Sequence, residues 1–221
     1  MARANDNRQR RTCKDGLVRF HRLCFPLLPL LIGPLTGCGA DGRPPTVQVW
    51  VGEVEDSDVA VGIVASSTRS TLFFCGGNLS FADHTHWFVG KAPLAEAKPI
   101  EDGAWQVTLS SLSERIVGKV AINGSAPVPF SAVTVGEGTL AGLYDASAPC
   151  GHAGLVVKQA SRAESPAAQG ACLGVAANAS VVEQVNPVMP IARGADSGIP
   201  ASLAVDESQR FTLHPLVLEL N

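Results

Sequence analysis

Three groups of side chains in this sequence have types and spacing that suggest chemistry. The first is His84-Thr-His86. On a strand, residues two apart face the same side, so both imidazoles could meet one ion, with Asp83 and His152 as further ligands. The spacing matches no zinc pattern, and a single H-x-H suits a solvated turn equally well. The second is Glu53, Glu55, Asp56 and Asp58, crowded around one turn. Paired carboxylates do acid–base work when burial splits their pKa values. A loop binds calcium when it supplies about six oxygens. No D-x-D-x-D-G loop is present, and a hairpin tip solvates such charges, so these four are read as surface groups. The third is Cys150-Gly-His152, a thiol beside an imidazole. Catalytic Cys–His pairs are assembled from distant segments, so Cys150 is expected to be structural. No G-x-S-x-G, S-x-x-K, Walker or Rossmann glycine pattern occurs. The sequence calls for no catalytic residue, metal or cofactor.

Six cysteines punctuate the chain: Cys13, Cys24, Cys38, Cys75, Cys150 and Cys172. The last three fall in the part expected to be exported, where the compartment is oxidising and disulfides form. Three cysteines allow three pairings and leave one over. Cys150 and Cys172 bracket one expected hairpin, which favours that pair. The rival reading has Cys75, Cys150 and Cys172 all buried as small hydrophobes.

Export is expected from the first 37 residues. They carry seven basic and two acidic side chains, whereas the rest carries ten basic and eighteen acidic, a formal charge of −8 from Cys38 onward. Arg19-Phe-His-Arg22 followed by the apolar run Leu23–Leu35 has the layout of a secretory signal. Thirteen residues broken by Pro26, Pro29 and Pro34 are too few and too interrupted for a transmembrane helix. The run ends in Leu35-Thr36-Gly37-Cys38, which resembles the lipobox of bacterial lipoprotein precursors. That resemblance implies acylation of the Cys38 thiol and cleavage before it. It also implies an anchor in the cell envelope and, since Gly39 follows instead of the retention-associated Asp, the outer membrane of a two-membrane cell. An ordinary signal cleaved after Ala40 is the alternative. Arg10-Arg11 lacks the apolar residues that follow a twin-arginine pair, and a start at Val18 would give a compact leader. An acidic exported segment has no footprint for nucleic acid and is repelled by anionic lipid, so attachment must come from the acyl chains.

The elements that must hold these residues are strands. Asp41–Pro45 has no apolar periodicity and reads as a tether, making 38–46 a lipidated cysteine and linker and 47–221 one β-rich domain. Short Val-, Ile- and aromatic-rich runs follow at Val47–Val54, Val59–Ser66, Thr71–Cys75, Trp87–Lys91, Trp105–Leu109, Ile116–Ile122 and Val128–Val135. Further runs are Thr139–Tyr144, Ala153–Gln159, Ala171–Ala176, Ala201–Val205 and Phe211–Leu220. Asn123-Gly124 is a hairpin turn signal. Residues 161–169 read as a flexible loop. Beyond Val181 the pattern loosens, with Asn186–Pro190 and Arg193–Pro200 as loops and Pro215 pushing the last strand to an edge or splitting it. The fold expected is all-β: a small antiparallel meander barrel or sandwich. Glycine recurs inside the runs (Gly52, Gly62, Gly90, Gly118, Gly142, Gly154, Gly174), as strand bends, bulges or close approaches require, and the repeated set favours the curvature of one tightly coiled small barrel. Val89-Gly-Lys91 recurs as Val117-Gly-Lys119, a weak sign of a duplicated hairpin.

Cys75-Gly-Gly, Trp87-Phe-Val-Gly and Ala141-Gly-Leu-Tyr144 resemble a diffuse group of exported bacterial β-domain proteins of unknown role, which implies a β-domain and no activity. Trp50, Trp87, Trp105 and Tyr144 sit in strand-like runs, where core packing with the indole N–H reaching a carbonyl is the default and a ligand pocket is the alternative. The sequence therefore reads as an envelope binding module for a partner protein or a small apolar ligand. A structural component of an envelope complex and an envelope hydrolase with an unrecognised site remain the alternatives.

Overall fold

Runs of β-branched and aromatic residues fit a pleated, half-buried surface better than a helix. The computed structural model, which describes residues 46–95, 98–158, 166–176 and 179–218, is accordingly all-β and has no helix among them. Its strands build two sheets, each curled into a barrel.

The first sheet holds β1 (Gln48–Val54), β2 (Ala60–Ala65), β3 (Ser70–Cys75), β4 (His86–Lys91), β5 (Ile100–Asp102), β6 (Trp105–Leu112), β7 (Arg115–Ile122) and β8 (Val128–Thr134). Their order is β4-β3-β2-β1-β8-β7-β6-β5, antiparallel throughout. Two four-stranded meanders thus meet where β8 returns beside β1. The end strands β4 and β5 share no ladder but meet through side chains, with Lys91 Nζ 2.9 Å from Asp102 Oδ2. One face of every long strand turns inward. Phe74 is the hub of that core, with ring centroids 5.5 Å from Phe130, 5.8 Å from Trp105 and 6.0 Å from Phe88. Offset and edge-to-face contacts of this kind are the favoured aromatic geometries. Val61, Ile63, Leu72, Val107, Leu109 and Ile116 fill the remainder.

The second sheet is a closed six-stranded barrel, β10-β11-β12-β13-β14-β9. Its strands are β9 (Gly142–Ala148), β10 (Gly151–Val157), β11 (Ala168–Ala176), β12 (Ala179–Pro187), β13 (Ile199–Leu203) and β14 (Arg210–Pro215). Its interior is filled by Tyr144, Leu155, Val157, Val185, Ile199 and Leu213 among others, as expected of a small barrel. A disulfide joins Cys150 to Cys172 across 22 residues, tying the β9–β10 turn to β11. In the chain-entropy picture such a loop is worth about 3 kcal/mol. Cys75 stays a buried thiol, its pKa pushed up by burial.

A third apolar cluster joins the barrels: Val51, Val64, Phe73 and Trp87 from the first meet Leu143, Val156 and Ala171 from the second. Successive residues of β10 touch successive strands of the first sheet. His152 stacks on Trp87 of β4, Gly154 lies against Trp87 and Phe73 of β3, and Val156 meets Gly62 of β2. Lys158 then pairs with Glu53 of β1 at 3.0 Å. The strands therefore cross, as in orthogonally packed sheets. At the crossing a β-carbon on Gly154 would fall inside the Trp87 and Phe73 rings.

Several expectations need correction. Gly62 and Gly154 mark this close approach rather than the curvature of a single barrel. Gly90 has φ +60° and sits in a bulge of β4 against β3, while Gly118 lies under Phe130 opposite a bulge of the neighbouring β6, so Val89–Lys91 and Val117–Lys119 are not structural equivalents. The segment beyond Val181 is more regular than expected at its ends: β12 extends through Asn186 and Pro187, and Ile199 and Pro200 begin β13, while 188–198 between them is loop as expected. The outward polar residues of both strands hide the pattern from a hydrophobicity reading. Pro215 ends β14 opposite Tyr144, where its missing N–H costs little. Gly142–Ala148 replaces Thr139–Tyr144, β10 starts two residues earlier than expected, and Ala168-Gln169 belongs to β11. The short β5 had no sequence signal. The Asn123-Gly124 turn is formed with φ +52° and +71°. Residues 1–45, with Cys38 and the leader, lie outside the described residues.

Gly154→Ala should lower unfolding free energy by about 1–3 kcal/mol, the usual effect of overpacking. Urea denaturation would measure it, and an unchanged midpoint would show that the barrels are not pressed together there.

Candidate functional site

The interior of the first barrel is filled, so any cavity must lie at its poles. One pole is formed by the loops 55–59, 76–85, 103–104 and 123–127, which join the ends of β1, β3, β5 and β7 to the strands that follow. It holds a cavity of about 400 Å³, within the range of small-molecule pockets. The walls are core side chains seen from above: Val54, Val59, Phe74, Trp105, Val120 and Ile122. The rim is polar, with Ser57, Ser80, Asp83, His84, Asn123 and Ser125. A concave apolar floor with a few polar groups around its mouth is the usual composition of a binding site.

The long 76–85 loop forms one lip, and Asp58 holds it. Its carboxylate accepts hydrogen bonds from Leu79 N at 2.7 Å and from Ser80 Oγ. The Ser80 hydroxyl first, and then the Leu79 amide, keep this carboxyl below its usual pKa. Thr85, buried, closes the loop from within: it donates to Phe81 O and accepts from Gly76 N. Gln169 of the second barrel donates to the carbonyls of Asp58 and Cys75, fixing the base of the lip from outside. The acidic group around the first hairpin is therefore divided. Glu53 pairs with Lys158, Asp58 is a loop brace, and Glu55 and Asp56 are exposed at the tip.

The histidines are placed in three different surroundings. His84 is on the rim of the cavity. His86 opens β4 and stacks face to face on Trp105, centroids 5.0 Å apart and planes 12° apart. His86 Nε2 has no hydrogen-bond partner among the described residues, and Asp102 Oδ2 lies 3.9 Å away across the β4–β5 seam. His152 belongs to the barrel junction, stacked on Trp87 and 3.1 Å from Asp145. His84, His86 and His152 share no cleft, and no group of three His, Cys, Asp or Glu side chains among the described residues is placed to hold a metal. Cys150 is in the disulfide and so offers no thiol beside His152.

The tryptophans also separate. Trp105 lines the cavity. Trp50 lines a hydroxyl-rich hollow of about 520 Å³ at the opposite pole, where its Nε1 donates to Ser113 O at 3.1 Å. Trp87 lies between Phe73 and His152, and its Nε1, expected to reach a carbonyl, has no partner among the described residues. Tyr144 is inside the second barrel with its hydroxyl on Leu140 O. The cavity itself had a partial sequence signal, since Trp105, Asp83 and His84 are all conspicuous. Val54, Val59, Val120 and Ile122 look like any other strand residues.

His86 gives the site a pH signature. Burial depresses its pKa, Asp102 raises it by less than burial lowers it, and the Lys91 cation adds a smaller lowering. The folded state thus prefers the neutral imidazole. Its contribution to stability is complete above the unfolded value of 6.5 and is lost as pH falls through the lower folded value. Urea midpoints should decline as pH falls below 6.5, and His86→Phe, which keeps the stack, should flatten that decline. An identical slope in the variant would assign the effect elsewhere.

Searches against protein-family models, curated proteins and solved structures find no match to this chain.

Proposed function

We propose that this chain is a lipid-anchored protein of the bacterial cell envelope whose first barrel binds a small, largely apolar ligand at the pole bounded by the 76–85 loop. The observation that carries the reading is the cavity: about 400 Å³, walled by Phe74, Trp105 and valines, and open at a polar rim. Burying an apolar ligand there gains about 25 cal/mol for each Å² taken from water. The floor belongs to a filled aromatic core, so little conformational freedom is lost on binding. The lip is braced by Asp58 and by Gln169 from the second barrel, which keeps the mouth formed without a ligand. On this reading the second barrel is a buttress, and Cys38, acylated, is the anchor implied by the lipobox resemblance. Two or more acyl chains hold a protein at a bilayer stably, against the repulsion of an acidic domain from anionic lipid.

The test is the mass of the mature chain isolated from native envelopes, first denatured and then under native conditions. A denatured mass beginning at Cys38 with added acyl groups, and a native mass carrying one further small component, is the expected result. Cys38→Ala should move the chain to the soluble fraction. Val128→Trp, at the exposed edge of the mouth, should lose the extra native mass while leaving the acyl groups. A chain beginning after Ala40 would overturn the anchor, and a ligand-free native mass under all conditions would overturn the pocket.

A further inference from the structure

The four loops that frame the cavity have an unbalanced composition. Residues 55–59, 76–85, 103–104 and 123–127 include Glu55, Asp56, Asp58 and Asp83 and contain no lysine or arginine. Among the described residues no lysine or arginine lines the cavity, and Lys119 of β7 lies on the exposed side of that strand. Lys158 is paired with Glu53, and Lys91 with Asp102. At the opposite pole the hollow that Trp50 lines has Glu114 in its wall, with Arg69 and Arg115 near lining residues only in the chain. Of the four carboxylates, Asp58 is committed to the lip, whereas Asp83 lines the cavity itself. Its neighbour His84 shares the rim.

Below that rim the walls are electron-rich. Phe74 and Trp105 line the cavity, Trp105 with one ring face already covered by His86, and a ring face left to a ligand attracts cations and repels anions. A negative rim over an aromatic floor discriminates by charge in the same direction at both depths. Low-dielectric walls concentrate such a field.

Resting on the pocket reading above, we propose that the ligand is an organic cation: an apolar body with an amine or quaternary ammonium head, the body against Phe74 and Trp105 and the head at Asp83. Apolar anions such as fatty acids are rejected by the same groups. A unit charge about 4 Å from one carboxylate in a water-exposed setting gains roughly fivefold in affinity. The carboxylates of the surrounding loops, Glu55 and Asp56, and the aromatic walls bring the expected preference to about tenfold over a neutral analogue.

The experiment is calorimetric titration of the folded chain with three probes of one chain length: octylamine, protonated at neutral pH, 1-octanol and octanoate. Octylamine should bind about tenfold tighter than 1-octanol, and octanoate most weakly. The octylamine advantage should shrink as salt rises from 20 to about 500 mM, since a rim charge is screened. Asp83→Asn should bring octylamine close to 1-octanol without changing 1-octanol itself. Equal affinities for the three probes, or octanoate binding tightest, would overturn the cation proposal and leave the apolar pocket standing. No binding of any probe, or binding unaffected by Val128→Trp, would overturn the pocket and the proposal together.

Discussion

The pair β2–β3 has no solvent face, and the rest of the molecule is arranged around that fact. Every residue of both strands is buried. Val61, Ile63, Leu72 and Phe74 face the first barrel's core, while Ala60, Val64, Phe73 and Cys75 face the junction with the second. A strand pair of this kind cannot be stable alone, because either face left open would expose a contiguous apolar patch. The first barrel must curl to cover one face, and the second must dock to cover the other. Crossing at a steep angle lets β10 span four strands of the first sheet in one pass. The small residues Gly62 and Gly154 let the backbones approach at the crossing.

The candidate site follows from that arrangement. Because the aromatic hub around Phe74 fills the barrel, space survives only at the poles. Because Gln169 reaches from β11 to the carbonyls beneath the 76–85 loop, the lip at one pole is held by both barrels at once. The second barrel then contributes to the mouth without lining it.

Much of this was legible in the residues and some was not. The all-β class and the Asn123-Gly124 hairpin followed from runs of β-branched residues bounded by turn formers. The unbroken apolar run from Val59 to Ala65 is what a strand buried on both faces looks like, since alternation survives only where one face is wet. β12 and the first residues of β13 were hidden for the converse reason. They lie in a barrel whose outside is solvated, and residues such as Ser180, Gln184 and Asn186 dilute the inward Val185. The division into two barrels was also invisible, because strand closure is a matter of which edges pair and leaves no local mark. At the site, Trp105, Asp83 and His84 stood out by type. Their convergence depends on β4, β6 and a ten-residue loop meeting at one pole, which no spacing along the chain encodes.

The placement of β8 beside β1 has a kinetic consequence. Val54 pairs with Phe130, and Lys158 reaches Glu53 across 105 positions. A chain emerging from its amino-terminal end therefore makes its most apolar meander, β1 to β4, long before the strands that cover either face of it. Contacts of such sequence separation form slowly, because loop closure precedes any reward. Throughout that interval the half-built sheet carries open edges and two greasy faces, the features that make folding intermediates stick to one another. The interval ends only when β9, β10 and β11 arrive. Folding of this protein is thus governed less by how stable its barrels are than by how well the first meander is shielded while it waits.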